Sequence, residues 1–320
     1  FCIARRIYFC TSFVKLENID LLKKDFREDK AMALFLGAGC DLTWEYPEGE
    51  RYDHLREREA IESNLLNWYN LLKELTENAC VSKEDTIAIN GLSSNSLKAA
   101  ILKSKLGDSY IPVIQSWLYS HCNRKVLSDS YKYFKEYQET PSVDSLKRVP
   151  FSTLFVLADI ILRQDSIRAV FTQNYNNFLS ETIRILLKED KKDGNNSYGL
   201  RQDCEPIDVY DGWNDTPFNN KSIMIYHVHG YIPSPSEMMP KKESNHIVLS
   251  DEEFYQLSKD VFSWQNVAQI NYLSHYTCIM LGLSLEDMTT LRLLRHANIE
   301  KSSERVYWIR GGDGNETTLR

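Results

Sequence analysis

Four short polar segments, each following an apolar run, carry the residue types that could do chemistry in this chain. In chain order they are Gly37–Asp41 (GAGCD), Thr172–Asn176 (TQNYN), His229-Gly230 (HG) and Gly282–Asp287 (GLSLED). Small residues let backbone N–H groups approach a phosphate, and an imidazole can exchange a proton near neutral pH. Together the segments offer a glycine turn for a pyrophosphate, a carboxamide, an imidazole and a second glycine–serine turn.

Each segment taken alone also has a simpler structural explanation. Asn174, Asn176 and Asn177 could cap a helix and form a turn, and the GAG sequence could be a plain tight turn. His229 could be a structural histidine, and His227, two residues earlier, would point to the same side of a strand. The position of all four segments at strand ends favours a site.

The apolar runs are short and bounded by glycine or polar turns, which predicts buried strands. The predicted strands are Ala31–Leu36, the run ending at Phe171, Ile223–Val228, Thr277–Leu281 and Arg305–Ile309, with Pro206–Tyr210 as a short edge strand. The spacing of apolar residues between them predicts helices. These are Glu17–Asp29, Asn64–Leu75, Ser96–Lys105, Ile111–Tyr119, Ser128–Tyr137, Phe151–Leu162, Trp264–His275 and three more that begin after Asn177, Ser250 and Ser284.

Strands that alternate with helices predict an α/β fold with a doubly wound, mostly parallel sheet. In such sheets ligands bind at the carboxyl ends of the strands. We expect an N-terminal helical extension over residues 1–30 and one domain over residues 31–320, with a helical insertion, the helical block, at about residues 42–165. The leucines and aromatic residues of the insertion are typical of a core, although its apolar helices could also form oligomer interfaces.

Composition argues against several classes of protein. The net charge of -7 and the pI near 5.6 argue against a dedicated nucleic-acid binder, which needs a basic face. No apolar run approaches the ~18 residues that span a bilayer. The seven cysteines are scattered and form no CxxC pair, so neither a zinc site nor a disulfide framework is predicted.

Reduced thiols are typical of a cytoplasmic protein, which is the predicted location. The N-terminal stretch is interrupted by Arg5 and Arg6 and lacks the apolar core of a signal peptide. Because the chain begins at Phe1 rather than Met and ends on a polar tail, we expect it to be a piece of a longer protein.

The order and spacing of GAG, TQN, HG and GLS resemble the sirtuin family of NAD-consuming enzymes, from about Ala31 to about Arg310 without the helical block. The resemblance implies a sirtuin-type, Rossmann-like domain that takes NAD as its substrate. It also implies that Asn174 and His229 are the catalytic pair. The dinucleotide contacts that it implies are Gly37, Ala38, Gly39, Cys40, Asp41, Gln173, Gly282 and Ser284.

The chain departs from the protein-deacetylating sirtuins in three places. It lacks the two cysteine pairs of their zinc module, Asp41 replaces their usual serine, and Asn176 replaces the aspartate expected after TQN. The phrases HVHGYIP, IVLSDEEFYQL and IMLGLSLED look instead like the bacterial sirtuin-like proteins of anti-phage defence. That resemblance implies NAD hydrolysis that depletes the infected cell, no zinc, a homo-oligomer, and a helicase-like ATPase or sensor partner encoded nearby or fused, without membrane or direct nucleic-acid binding.

The implied chemistry suits these residues. Cleavage of the nicotinamide–ribose bond passes through an oxocarbenium-like state, as glycoside cleavage does. Asn174 could position a water or the ribose hydroxyls, and His229 could accept the proton. Protein deacylation and ADP-ribosyl transfer are alternative reactions. A non-catalytic NAD or ADP-ribose sensor is the third alternative, and the substitutions at Asp41 and Asn176 keep it open.

Overall fold

The computed structural model describes residues 16–40, 68–79, 82–212, 222–237, 247–283, 288–297 and 306–309. Within these ranges six strands form one sheet in which every pairing is parallel. They are β1 Met32–Leu36, β2 Ile167–Thr172, β3 Glu205–Val209, β4 Ser222–His227, β5 Thr277–Leu281 and β6 Val306–Ile309.

The order of the strands across the sheet is β3-β4-β2-β1-β5-β6. On one side of β1 lie β2, β4 and the edge strand β3, and the chain then returns to the other side of β1 to add β5 and β6. This reversal places a topological switch point between β1 and β5, where open α/β sheets bind ligands outside the carboxyl ends. The predicted α/β class with a doubly wound sheet is confirmed, and the described strands are all parallel.

Helices precede the sheet, occupy much of the described chain between β1 and β2, and lie between later strands. They are α1 Leu16–Arg27, α2 Trp68–Asn78, α3 Lys83–Asn90, α4 Asn95–Leu106, α5 Tyr110–His121, α6 Arg124–Glu139, α7 Val143–Lys147, α8 Ser152–Arg163, α9 Phe178–Lys192, α10 Asp251–Lys259, α11 Trp264–His275 and α12 Met288–His296. None of the helices in the described ranges is both long and apolar enough to cross a bilayer.

The strand β1 shows why the sheet is covered on both faces. All five of its residues are buried, as in parallel strands that pack helices on either side. Met32, Leu34 and Leu36 belong to a core shared with α5, α6, α8 and α9. Ala33 and Phe35 face a second core shared with α11 and α12. The alternation of side chains along the strand thus produces three layers.

Burial accounts for several of the described aromatic residues between β1 and β2 in the sequence. Trp117, Phe134 and Phe155 are at most 5% exposed and lie in the first core. The rings of Phe134 and Phe155 stack with their centroids 5.2 Å apart. The sequence left open whether these helices form a core or oligomer interfaces, and the structure shows that they contribute to the core.

Two described helices were not predicted, because neither has an apolar stripe. Helix α3 buries only Ile89 and begins at Ser82, whose side chain accepts the backbone N–H of Asp85. Helix α7 buries no residue and is fixed by a capping box between Ser142 and Ser145. Such helices depend on end contacts rather than on the periodicity by which helices are recognised in a sequence.

Phe171 is the centre of the second core. Its ring stacks on Phe35 at 4.9 Å and on Tyr226 at 5.1 Å, and it is 1% exposed. We expect Phe171→Ala to lower the free energy of unfolding by about 3–5 kcal/mol, as for other buried aromatic residues. Urea unfolding followed by circular dichroism measures the change. The matched control is Phe262→Ala, because Phe262 is 90% exposed and should change stability by less than about 0.5 kcal/mol. Equal effects of the two substitutions would contradict the packing described.

Candidate active site

The carboxyl ends of β1, β2 and β5 are joined by backbone hydrogen bonds that continue past the strands. The N–H of Gln173 donates to the carbonyl of Leu36 at 2.9 Å, and the N–H of Gly37 donates to that of Leu281 at 2.9 Å. The segments after these strands therefore start side by side. The sheet brings together the GAG and TQN sequences and the turn at Gly282 at the switch point.

The glycines after β1 and β5 interlock. The N–H of Gly39 donates to the carbonyl of Gly282 at 3.1 Å. A Cβ atom on Gly37 would lie 2.4 Å from that carbonyl oxygen, and one on Gly282 would lie 2.6 Å from the backbone nitrogen of Cys40. Gly282 also has a φ of +63°, which favours glycine. These glycines let the two turns pack against each other, a role that sequence reasoning missed.

The turn Ala38–Cys40 is a short 3-10 helix with one exposed and one buried end. Ala38 is exposed, as is Gly282 on the facing turn. Cys40 is 1% exposed, and its Sγ contacts the carbonyl of Leu281 at 3.4 Å. The Cys40 side chain therefore faces the protein, and the exposed backbone of Ala38 and Gly282 is what a ligand can reach.

Because the two turns pack so closely, we expect an added methyl group to be more destabilising at Gly282 than at a glycine surrounded by open space. Gly194 is the control, because its φ is +72° and an added Cβ would meet nothing within 4 Å. We expect Gly194→Ala to cost about 1–2 kcal/mol for its left-handed backbone. Gly282→Ala should cost a further 1–3 kcal/mol or so from overpacking. Thermal unfolding of both variants measures the difference, and equal losses would show that the contact between the turns has no effect.

Asn174 links the turn after β1 to the end of β2. Its Nδ2 donates to the carbonyl of Gly37 at 3.2 Å, and its backbone N–H donates to Oγ1 of Thr172 at 3.0 Å. Beside it, Nε2 of Gln173 donates to Oγ1 of Thr290 on α12 at 3.1 Å. Asn174 and Gln173 are both half-buried. Two uncharged amides are therefore held at an accessible edge of the sheet.

Asn176 and Asn177 have structural roles. Oδ1 of Asn176 accepts the backbone N–H of Phe178 at 3.2 Å, which forms the turn into α9. Nδ2 of Asn177 donates to Oε1 of Glu237 at 3.0 Å. Both asparagines are at most 6% exposed. The structural explanation fits these two residues, whereas Asn174 projects its amide to the neighbouring turn.

The two histidines at the end of β4 have different surroundings. The strand ends at His227, one residue earlier than predicted, and a turn follows at Val228 and His229. The expectation that both rings point to one side assumed that both histidines lie in the strand. This assumption was wrong, because β4 does not extend to His229. The ring of His227 contacts Asp208, whereas the ring of His229 meets Phe254 edge-on at 5.4 Å.

His229 is 6% exposed and is held by the segment that leads into α10. Its carbonyl accepts the N–H of Val248 at 2.8 Å, and the carbonyl of Val248 accepts the hydroxyl of Tyr175 at 2.6 Å. Tyr175 follows Asn174 directly. The segments that carry the two predicted catalytic residues are therefore connected through Val248.

A capping box fixes the start of α10, which carries Phe254. Oε2 of Glu253 accepts the backbone N–H groups of Ser250 at 2.6 Å and Leu249 at 2.9 Å. Burial alone would raise the pKa of the Glu253 carboxyl. Hydrogen bonds from Lys103 and from these backbone groups outweigh burial and lower the pKa below its usual value. Lys103 lies on α4, so this contact also joins the helical block to α10.

The lowered pKa predicts the pH dependence of the stability that Glu253 contributes. This contribution is present above the unfolded-state pKa near 4.3 and is lost as the pH falls through the folded-state value. We expect Glu253→Gln to lower the free energy of unfolding by about 1 kcal/mol at pH 7, with the difference vanishing in acid. Denaturant unfolding from pH 7 to pH 3 measures it. Glu252→Gln is the control, because Glu252 is exposed; a difference that stays constant down to pH 3 would contradict the assignment.

Helix α5 of the helical block makes hydrogen bonds to the segments that carry the predicted catalytic residues. The hydroxyl of Tyr119 donates to the carbonyl of Ile232 at 2.8 Å and lies 3.2 Å from Oδ1 of Asn177. Nε2 of Gln115 donates to the carbonyl of Pro233 at 2.9 Å. The helix thus contacts the segments after both Asn174 and His229. Periodicity alone gives no signal for such contacts.

Two of the predicted contacts, Asp41 and Ser284, lie outside the described residues. A cavity of about 200 Å³ opens at the opposite, amino-terminal edge of the sheet, near Ile167 and Ser222, and includes none of the motif residues. Within the described ranges no three His, Cys, Asp or Glu side chains come together as metal ligands. The predicted site is therefore the carboxyl edge around the switch point.

Fold and site define an α/β protein with interlocked glycine turns and two uncharged amides at its switch point. Residues 168–319 match the family described as SIR2-like domain, so this part of the chain is a SIR2-like domain. The match begins in β2 and includes the TQN, HG and GLS sequences. The turn Gly37–Cys40 precedes it and joins it through the sheet. No curated protein matches the chain.

Proposed function

We propose that the protein hydrolyses NAD, cleaving the nicotinamide–ribose bond to give nicotinamide and ADP-ribose. The SIR2-like domain indicates NAD-dependent activity. The observation that carries the proposal is the contact of the Asn174 amide with the Gly37 carbonyl at 3.2 Å. This contact puts an uncharged hydrogen-bonding group beside a glycine turn at the ligand edge of the sheet.

The described residues fit NAD as a substrate. The exposed backbone of Ala38 and Gly282 can approach a pyrophosphate, because neither turn carries a bulky side chain there. Gln173 and Asn174 add amides that bind without introducing a competing charge. His229, in the turn that follows β4, is buried, so bulk water is largely excluded from its ring.

The proposed reaction breaks the C1′–N bond, and its electron pair leaves with nicotinamide as a neutral molecule. The ribose develops oxocarbenium character, a water attacks C1′, and the proton of that water is released. Asn174 would orient the water or the ribose hydroxyls, because positioning contributes much of the rate in such sites. His229 would accept the proton as general base.

In the cell, we propose that this activity depletes NAD during phage infection. The support is the resemblance of HVHGYIP and IMLGLSLED to bacterial defence proteins. An enzyme that destroys NAD must be held inactive until it is needed. A homo-oligomer, with a helicase-like ATPase or sensor as partner, is the proposed means of that control.

The test is chromatography of nicotinamide and ADP-ribose released from NAD by the parent and by Asn174→Ala and His229→Ala. We expect each variant to lose about 10²- to 10⁴-fold in rate, the range for removal of a positioned acid–base group. Asn195→Ala and His275→Ala are the matched controls, since both residues are exposed. Circular dichroism verifies that all four variants are folded.

The other reactions predict different products. Transfer would attach ADP-ribose or remove an acyl group from a protein, which mass spectrometry detects, and a sensor would bind NAD without releasing nicotinamide. If the purified parent is silent, NAD followed in phage-infected cells tests an activity that needs a trigger. Full activity of both Asn174→Ala and His229→Ala would contradict the assignment of Asn174 and His229 as the catalytic pair.

A further inference from the structure

His227 occupies a sealed position between two acceptor groups. It is the last residue of β4 and is 1% exposed. Its Nδ1 lies 3.0 Å from the backbone carbonyl oxygen of Asn174, and its Nε2 lies 2.8 Å from Oδ1 of Asp208 on β3. The ring therefore connects the proposed catalytic amide to the edge strand of the sheet.

The geometry fixes the role of Nδ1. A backbone carbonyl only accepts hydrogen bonds, so Nδ1 must carry a hydrogen and donate it to Asn174. The contact between Nε2 and the Asp208 carboxyl needs a second proton, on one partner or the other. Asp208 is fixed in turn, because its Oδ2 accepts the hydroxyl of Ser180 at 2.7 Å and lies 4.0 Å from Nη2 of Arg184.

The surroundings of His227 exclude direct contact with a dinucleotide. Asn174, Ser180, Asp208 and His227 line a cavity of only about 10 Å³, which is near the volume needed to admit one water. A group buried there can act on a substrate only through the residue that it holds.

We propose that His227, oriented by Asp208, is a positioning residue that fixes the backbone of Asn174 so that its amide stays at the Gly37 turn. Without the Nδ1 contact, the backbone carbonyl of Asn174 loses its hydrogen-bond donor. The backbone from which the Asn174 side chain extends is then no longer fixed. Misplacement by about 1 Å can lower a rate 10²-fold. The kinetic consequence rests on the proposed NAD hydrolysis, whereas the structural consequence does not.

The test compares two amide replacements of the same ring. The amide nitrogen of asparagine can take the place of Nδ1, and that of glutamine can take the place of Nε2. His227→Asn therefore keeps the donor to Asn174, whereas His227→Gln keeps only the contact with Asp208. We expect His227→Gln to lower kcat for NAD about 10²-fold with little change in KM. His227→Asn should stay within a few-fold of the parent.

A second pair of variants approaches the contact from the other side. Asp208→Asn can donate to Nε2 and leaves the Nδ1 donor in place, so we expect near-parental kcat. Asp208→Ala removes the orienting group and should resemble His227→Gln. This pair decides the question if the glutamine variant fails to fold.

Hydrogen exchange read by mass spectrometry gives a measurement that needs no activity. Peptides covering residues 172–177 should exchange faster in His227→Gln and Asp208→Ala, and as in the parent in His227→Asn and Asp208→Asn. His275→Gln is the control, because the exposed His275 makes a similar Nδ1 contact to the carbonyl of Asn271 at 2.9 Å, away from the site.

The outcomes separate this inference from the proposed function. Unchanged exchange in residues 172–177 of a folded His227→Gln or Asp208→Ala variant overturns it. The inference is also overturned if His227→Asn and His227→Gln lose kcat equally and in proportion to the fall in their melting temperatures. If the parent consumes NAD neither as a purified protein nor in phage-infected cells, but exchange changes as expected, hydrolysis is wrong and the positioning role stands.

Discussion

The close packing of two backbone turns is the constraint on which the site depends. Gly37 and Gly39 meet Gly282 without any side chain between them, at distances that no Cβ atom could share. This contact lies at the switch point of the sheet, so the turns after β1 and β5 form one surface instead of two loops. Among the described residues, backbone groups and the amides of Gln173 and Asn174 supply the polar atoms of that surface.

The remaining polar contacts fix Asn174 and His229 in the segments that follow β2 and β4. Asn174 is held through its side chain by Gly37 and through its backbone by Thr172 and His227. His229 is held by Val248, whose segment is fixed by the capping box of the buried Ser250 and the half-buried Glu253. Buried polar groups of this kind are costly unless they are paired, so each pairing also restricts where the neighbouring group can lie.

The helical block is part of this arrangement. Its aromatic residues complete the core on one face of the sheet, and Tyr119 and Gln115 reach the segments that follow the two proposed catalytic residues. Stability and site geometry therefore share the same helices. A change in how this block packs would reach Asn177 and Ile232 directly, which offers a physical route by which a partner or an assembly could control the site.

The sequence by itself determined the class of fold, most of the helices and strands, and the four segments that could do chemistry. These follow from local patterns: apolar periodicity, glycine turns and polar residues after buried runs. Only the tertiary structure decided that Gly282 packs on the turn after β1, that Asn176 shapes a turn while Asn174 reaches Gly37, and that His227 and His229 have different contacts. Those assignments depend on contacts between residues far apart in the chain, such as Asn174 and Gly37, separated by 137 positions. Local propensity carries no information about such contacts, because they form only when the strands pair and the helices pack.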